Sequence, residues 1–191
     1  MSPLVVSPTL PDTSYRPGEI VIFPWSVQSL GIPLSALNFG VPASNNFVTA
    51  NLAVFVPFWV PEPVVITKIG WANGAAVAGN LDAGIYDESG VRLVSTGSQA
   101  QSGTSTLQIV DTADTTLSRG RYYLALTSDT SGTTQKVVAA LPAAGIAQSL
   151  GLLQMSAAPP LATNANPAVY AKYASAFVPV IIAQGYRTVG P

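Results

Sequence analysis

The sequence predicts an all-β protein, in which an extended, proline-rich N-terminal arm precedes a β-sandwich or jelly-roll domain. Three observations support this prediction. Apolar and polar residues alternate in short runs after residue 50, glycine-containing turn signals separate these runs, and prolines recur throughout the first 50 residues. Short strands at regular spacing are typical of sandwiches and jelly rolls. We therefore divide the chain into an arm, residues 1–50, and a domain, residues 51–191.

The arm is apolar as well as rich in proline. Prolines recur at positions 3, 8, 11, 17, 24, 33 and 42, where each removes a backbone donor and favours an extended predecessor. Apolar residues, among them Val21, Phe23 and Trp25, lie between the prolines. An extended apolar segment has to pack against another surface. Two alternatives are open: the arm packs on its own domain, or it packs on neighbouring subunits.

The strands of the domain are predicted from segments in which side chains alternate. These segments are VVITKIGWA, NLDAGIY, VRLVST, STLQIVD, RYYLALT and QKVVAAL, which begin at residues 64, 80, 91, 105, 121 and 135. Turn signals such as Asn73-Gly74 and Arg119-Gly120 separate them. The segment FVPVIIA, residues 177–183, returns an apolar strand to the sheet. Its Pro179 restricts that strand to a sheet edge or a bulge.

The composition excludes several classes of function. Of 191 residues, 48% are hydrophobic and 9% charged, the net charge is −1, and histidine and cysteine are absent. The missing side chains rule out imidazole bases, thiolate nucleophiles and nearly all zinc chemistry. The charge gives no reason to bind nucleic acid or an anionic membrane. A surface so weakly charged tends to associate, so we expect a homo-oligomer or an assembly subunit without a cofactor.

The chain shows neither a signal peptide nor a membrane span. Its first residues lack a basic region followed by an apolar core, so we expect no signal peptide. The longest apolar run, residues 51–66, is interrupted by Pro57, Pro61, Glu62 and Pro63. This run is therefore not a transmembrane helix, and we expect no membrane insertion.

The stretch Asp87-Glu88-Ser89-Gly90 lies between two alternating segments. An aspartate that opens a tight turn accepts hydrogen bonds from backbone amides, and a glycine in the fourth position supplies a positive φ. We interpret the stretch as a type I turn that ends in a left-handed glycine. It lacks the alternating oxygen ligands of an EF-hand loop, although calcium binding by dispersed loops remains an alternative.

Other acidic residues allow a weaker hypothesis of enzymatic activity. Asp82, in mid-strand, pairs with Asp87 or Glu88 if the chain hydrolyses glycosides through two carboxylates. The spacing favours a solvated strand face for Asp82 instead, and a further turn for Asp111 and Asp114. No serine stands in a Gly-x-Ser-x-Gly elbow, and no spacing supports a Ser–Lys pair with Lys68, Lys136 or Lys172. We therefore predict no enzymatic activity, no catalytic residue and no metal ligand.

Aromatic residues supply the remaining candidates. In strands, large rings are more often core residues or interface anchors than ligand platforms. The candidate interface anchors are Phe23, Trp25, Phe55, Phe58 and Trp59, of which Trp59 is the best placed. As an alternative, four rings provide a stacking platform for a host glycan: Trp71, Tyr86, Tyr122 and Tyr123.

The block from Ile66 to Asp129 resembles β-sandwich modules of tailed-bacteriophage virion proteins. The resemblance rests on a hairpin formed by GIYD and LVSTG, followed by a hairpin that contains YYLAL. The later segments SAAPPLATNANP and FVPVIIA are similar to the closing part of such modules in tail, fibre and head-accessory proteins. The resemblance covers about half of the chain, excludes the arm, and includes no catalytic residue.

The resemblance implies a non-enzymatic structural protein of the virion, made in the host cytoplasm. Such a protein serves as a capsid decoration protein, a tail fibre or another tail component, and its partners are other capsid or tail subunits. The apolar arm and the weakly charged sandwich surface provide its contacts for assembly. A similar jelly-roll arrangement occurs in carbohydrate-binding modules, so a host-adhesion module is the alternative function.

Overall fold

The computed structural model describes residues 19–22, 43–137, 151–165, 171–172, 175 and 178–187. This part of the chain contains strands and no helix, which confirms the all-β prediction. The strands are β1 (Glu19–Ile22), β2 (Ala43–Asn46), β3 (Leu52–Val60), β4 (Val64–Ala72), β5 (Asn80–Asp87), β6 (Arg92–Ser95), β7 (Gln99–Ala100), β8 (Leu107–Leu117), β9 (Gly120–Ser128), β10 (Thr134–Val137), β11 (Leu153–Ser156), β12 (Ala171–Lys172) and β13 (Ile181–Arg187).

The described strands form antiparallel sheets. A four-stranded sheet has the order β1-β13-β4-β8, and a seven-stranded sheet has the order β12-β11-β3-β9-β5-β6, with β7 paired to β5. A two-stranded sheet joins β10 to β2. These sheets are consistent with a β-sandwich, because the two larger ones share one hydrophobic core.

The main core lies between the four-stranded and the seven-stranded sheet. β4 contributes Ile69 and Trp71 from the first sheet, while β5 contributes Leu81 and Ile85 from the second. The inward side chains of each strand are two residues apart, as the alternation in NLDAGIY predicts. Burial of these side chains supplies the main stabilisation of the fold.

A second, smaller core covers the outer face of the seven-stranded sheet. Phe55 of β3, Tyr86 of β5 and Tyr123 of β9 point away from the main core and pack with Leu161 and Ala165. The last two belong to residues 157–165, an irregular segment that we call the strap. Because the strap covers this face, the central strands of the sheet are buried on both sides.

The expected domain boundary at residue 50 does not separate the sheets. β1 pairs with β13, and β2 pairs with β10, so two strands that precede residue 50 lie within the sheets of the domain. β1 is a proline-free run between Pro17 and Pro24, which leaves its backbone donors available for a ladder. Of the candidate anchors in the arm, Phe23 and Trp25 lie outside the described residues.

Two local predictions need correction. Asp111 and Asp114 lie within β8 rather than in a turn, at an irregularity where Lys68 pairs with Asp111 and Ile66 pairs with Thr115. β8 is the last strand of its sheet, and an edge strand tolerates exposed acidic residues and bulges. The last described strand begins at Ile181, two residues after Pro179. It pairs with β1 and β4 on its two sides, so the expected restriction to a sheet edge is wrong, because Pro179 lies before the strand and removes none of its donors.

Candidate functional site

The strap is attached to the sheet around a buried carboxylate. Leu81, Ala83 and Ile85 of β5 face the main core, so the alternation turns Asp82 toward the outer face. Asp82 is completely buried. The expectation that this residue lies on a solvated face is therefore wrong, because the strap covers it.

Asp82 accepts hydrogen bonds through both of its carboxylate oxygens. The amide of Leu161 donates to Oδ2 at 2.7 Å, and the hydroxyl of Thr96 lies 2.9 Å from Oδ1. The guanidinium of Arg92, on β6, donates to the carbonyl oxygen of Leu161. The N–H of Leu161 therefore bonds to the side chain of Asp82, and its carbonyl oxygen bonds to the side chain of Arg92.

The environment of Asp82 disfavours its charged form. Desolvation by burial raises the pKa of Asp82, and it outweighs the lowering by the Leu161 amide, the Thr96 hydroxyl, the charge of Arg92 and the Gly97 amide. The pKa of this carboxyl consequently lies above its ordinary value of 3.8.

Further hydrogen bonds attach the rest of the strap. The phenol of Tyr86 donates to the carbonyl of Ala162 at 2.6 Å, and the amide of Ala165 donates to the carbonyl of Gly90 at 2.7 Å. The hydroxyl of Thr127 donates to the carbonyl of Ala157. These contacts satisfy backbone groups of an irregular segment that packs on a sheet, which is a structural role.

The turn that follows β5 agrees with its prediction. Oδ1 of Asp87 accepts from the Ser89 hydroxyl at 2.7 Å and from the Val91 amide at 2.9 Å, and Gly90 has a φ of 86°. Partial desolvation raises the pKa of Asp87, but hydrogen bonds from Ser89, Val91 and Gly90 together lower it below its ordinary value. This carboxylate therefore serves the turn.

We expect Asp87→Ala to lower the free energy of unfolding by about 1 kcal/mol, because two donors of the turn lose their acceptor. The contribution of Asp87 is complete above its ordinary pKa of 3.8 and disappears as the pH falls through its lower folded value. Urea unfolding at neutral and at acid pH measures both effects. Glu88→Ala, at the exposed neighbouring position, is the control and should change stability by less than about 0.5 kcal/mol.

The hypothesis of a paired-carboxylate hydrolase has no geometric support in the described residues. Asp82 is sealed beneath the strap, and Asp87 is engaged in the turn. Within these residues, no three side chains of the Asp, Glu, His and Cys types gather in a way that could hold a metal ion. The same part of the chain contains no helix long and apolar enough to cross a membrane.

The four rings of the glycan-stacking hypothesis are buried. Trp71 and Tyr86 are 0% exposed, and Tyr122 and Tyr123 are 9% exposed. Tyr86 packs edge-on against Phe55 with ring centroids 5.2 Å apart. Burial removes the flat exposed face that a sugar requires, so we correct this assignment and place the rings in the two cores.

Of the candidate anchors within the described residues, two are buried and one is exposed. Phe55 and Phe58 are buried in the two cores and do not serve as anchors to another chain. Trp59 is 43% exposed, so it remains a predicted anchor. Trp59 is four residues after Phe55 and therefore lies on the same outer face of the seven-stranded sheet. It is near the end of β3, outside the smaller core that covers Phe55.

Sequence reasoning missed four exposed apolar residues on or next to two edge strands. Val91 and Leu93, at β6, are exposed, and so are Leu107 and Ile109 of β8. β6 lies next to β8 at one side of the sandwich, and each is the last strand of its sheet. We call these four residues the β6–β8 side. The alternation in STLQIVD contained the signal, since Leu107 and Ile109 share one face.

A network of buried amides joins the sheets at one end. Gln101 donates to Asn73 Oδ1 at 2.9 Å, and Asn73 donates to Gln108 Oε1 at 3.1 Å. Among the described residues, the side-chain amide of Gln135 and the indole nitrogen of Trp71 are buried without a hydrogen-bond partner. An unpaired buried polar group lowers stability.

Comparison of the chain with protein-family models, with curated proteins and with solved structures finds no match. The functional argument therefore rests on the strap, the β6–β8 side and the exposed Trp59.

Proposed function

We propose that the chain is a non-enzymatic structural subunit of a bacteriophage virion, as a capsid decoration, fibre or tail protein. It assembles through its apolar arm and through the weakly charged surface of a jelly-roll-like sandwich. The observation that carries this proposal is the β6–β8 side, where exposed apolar residues lie on two adjacent sheet edges. Burial of the four candidate rings argues against the alternative of carbohydrate binding.

The β6–β8 side has the properties of a contact surface for assembly. Leu107 and Ile109 are 47% and 41% exposed, and they lie on an edge strand of 11 residues that contains neither proline nor lysine. Edge strands are also protected by charged residues and bulges, and β8 has these around Asp111 and Asp114, whereas its first four residues, Leu107–Val110, have neither. Contact with another subunit removes the edge and its apolar side chains from water.

The virion assignment is supported by the resemblance of residues 66–129, which span β4 to β9. The deletion that tests the arm has to respect the observed pairing, because β1 and β2 belong to the sheets. Deletion of residues 1–18 leaves both strands intact, whereas deletion of residues 1–50 removes them. Loss of incorporation into particles after the shorter deletion supports the arm as an assembly element, and unchanged incorporation contradicts it.

The double variant Leu107→Ser and Ile109→Thr tests the proposed contact surface. We expect the self-association constant to fall at least about tenfold, since two exposed apolar side chains leave the contact. Analytical ultracentrifugation over a range of concentrations gives the constant, and thermal unfolding verifies that the fold persists. Tyr186→Ser, at a similarly exposed position on β13, is the matched control. An unchanged association constant in the double variant would exclude the β6–β8 side as the contact.

A further inference from the structure

We infer that Asp82 is a pH-sensitive latch, which holds the strap over the outer face of the seven-stranded sheet most firmly when its carboxyl group is neutral. This inference is independent of the proposed role in assembly. It rests on the hydrogen-bond geometry around Thr96, on the burial of the carboxyl group, and on the charges that face it.

The hydroxyl of Thr96 has two acceptors and one proton. It lies 2.9 Å from Oδ1 of Asp82 and 3.1 Å from the carbonyl oxygen of Gly97, and it accepts from the Ala83 amide at 3.0 Å. When Asp82 is ionised, the single hydroxyl proton cannot serve both acceptors fully. Either Oδ1 of the buried Asp82 or the half-buried carbonyl oxygen of Gly97 then lacks this donor.

Protonation of Asp82 resolves this conflict. A proton on Oδ1 is donated to Thr96 Oγ1, and the Thr96 hydroxyl is then donated to Gly97, so every group has a partner. Oδ2 continues to accept from the Leu161 amide at 2.7 Å. The neutral acid therefore completes the network while it holds the strap at Leu161, and it avoids the cost of a buried charge.

Few charged groups face Asp82. The strap contains no ionisable side chain, and Thr127, opposite Asp82 on β9, is uncharged. Arg92 on β6 is the charged group that acts on the carboxyl, and it favours the ionised form. Tyr86, on the same face of β5, donates its phenol proton to the strap. Desolvation exceeds the effect of Arg92, so closure of the strap raises the pKa of Asp82.

The sign of the pH dependence follows from proton linkage. The closed strap binds the Asp82 proton more tightly than the open strap, in which the carboxyl returns to its ordinary pKa of 3.8. Closure of the strap is therefore strongest below pH 3.8 and weakens as the pH rises toward the raised pKa of the closed state. Above that pKa, the stability of the closed strap no longer changes with pH. For each unit by which the pKa of the closed state exceeds that of the open state, the equilibrium constant for closure falls about tenfold between low and high pH.

Opening of the strap changes the surface of the sheet. Phe55, Tyr86 and Tyr123 pack beneath Leu161 and Ala165 and lose this cover when the strap leaves. A rise in pH therefore increases the fraction of molecules that present an aromatic face to solvent.

Hydrogen exchange in the full-length chain tests the latch. The amides of Leu161 and Ala165 report closure, because they donate to Asp82 and to Gly90. After correction for intrinsic rates, we expect their protection in the wild type to fall as the pH rises from the ordinary pKa of 3.8 toward the raised pKa of the closed state. Asp82→Asn imitates the neutral acid, since its amide nitrogen donates to Thr96 and its oxygen accepts from Leu161. We expect this variant to keep high protection across the range.

Asp114→Asn, on β8 of the other sheet, is the matched control and should keep the wild-type profile. A flat wild-type profile, or protection that rises with pH, would overturn the latch. Low protection at every pH in folded Asp82→Asn would also overturn it. A carbon-13 titration of the wild-type Asp82 carboxyl provides a test that needs no variant: a pKa above the ordinary value supports the latch, and an ordinary value refutes it.

Discussion

Gly185→Ala is expected to lower the free energy of unfolding by about 3 kcal/mol or more, at the upper end of the range for overpacked sites. A Cβ atom at this position would lie 1.9 Å from the carbonyl oxygen of Val65 and 2.9 Å from Cα of Ile66. Both atoms belong to the backbone of β4, so no side-chain rotation relieves the clash. The strands have to separate instead.

The position of Gly185 extends the effect to three strands. Gly185 lies at the bulge where the register of β13 against β4 shifts, and it is also opposite Ile20 of β1. Displacement of β13 therefore weakens its pairing on both sides. Urea unfolding measures the loss, and reduced protection of β1 amides reports its spread.

Gly120→Ala is the matched control for this prediction. Its added Cβ atom would lie 3.6 Å from the nearest atom, in the ring of Tyr122, which is an ordinary van der Waals contact. We expect a change of less than about 0.5 kcal/mol. If Gly185→Ala is as stable as Gly120→Ala, the close approach of β13 to β4 is incorrect.

Trp71→Ala is expected to reduce stability by about 4 kcal/mol, since it removes the largest completely buried side chain of the main core and leaves a cavity. Trp71→Phe should lose much less, about 1 kcal/mol, for two reasons. The phenyl ring fills part of the space, and the substitution removes an indole N–H that is buried without a partner among the described residues.

Thermal and urea unfolding of the two Trp71 variants distinguish core packing from a surface role. A core residue gives a large difference between Ala and Phe, with the Ala variant far less stable. A surface ring that served only to stack on a ligand would leave both variants near wild-type stability, and that result would contradict the buried position of Trp71.

The local parts of the fold could be predicted from the sequence. Alternation in NLDAGIY correctly assigns Leu81 and Ile85 to the core face of β5. The stretch from Asp87 to Gly90 correctly predicts the turn, because a turn depends on the hydrogen bonds and φ angles of neighbouring residues. Structure that depends on interactions between residues close in sequence can therefore be predicted from the local pattern.

The burial of Asp82 could not be predicted, because it depends on contacts between distant parts of the chain. The strap contacts this carboxylate through the amide of Leu161, and no sequence pattern near Asp82 indicates that this face of β5 is covered. β3 posed a related difficulty: Phe55 and Phe58 face different cores, so a strand buried on both sides shows no alternation. Exposed apolar residues such as Leu107 resembled core residues in the sequence, because alternation shows which residues share a face but not whether another element covers it.

The arrangement β1-β13-β4 has a consequence for biosynthesis. Among the described strands, the first pairs with the last, and the last also completes the pairing of β4. β13 therefore has to be translated before this sheet can close. Until then the edge of β4 that pairs with β13 stays open, and pairing over such a sequence distance is slow. Newly made chains are consequently candidates for chaperone binding, and C-terminal truncation should yield insoluble protein.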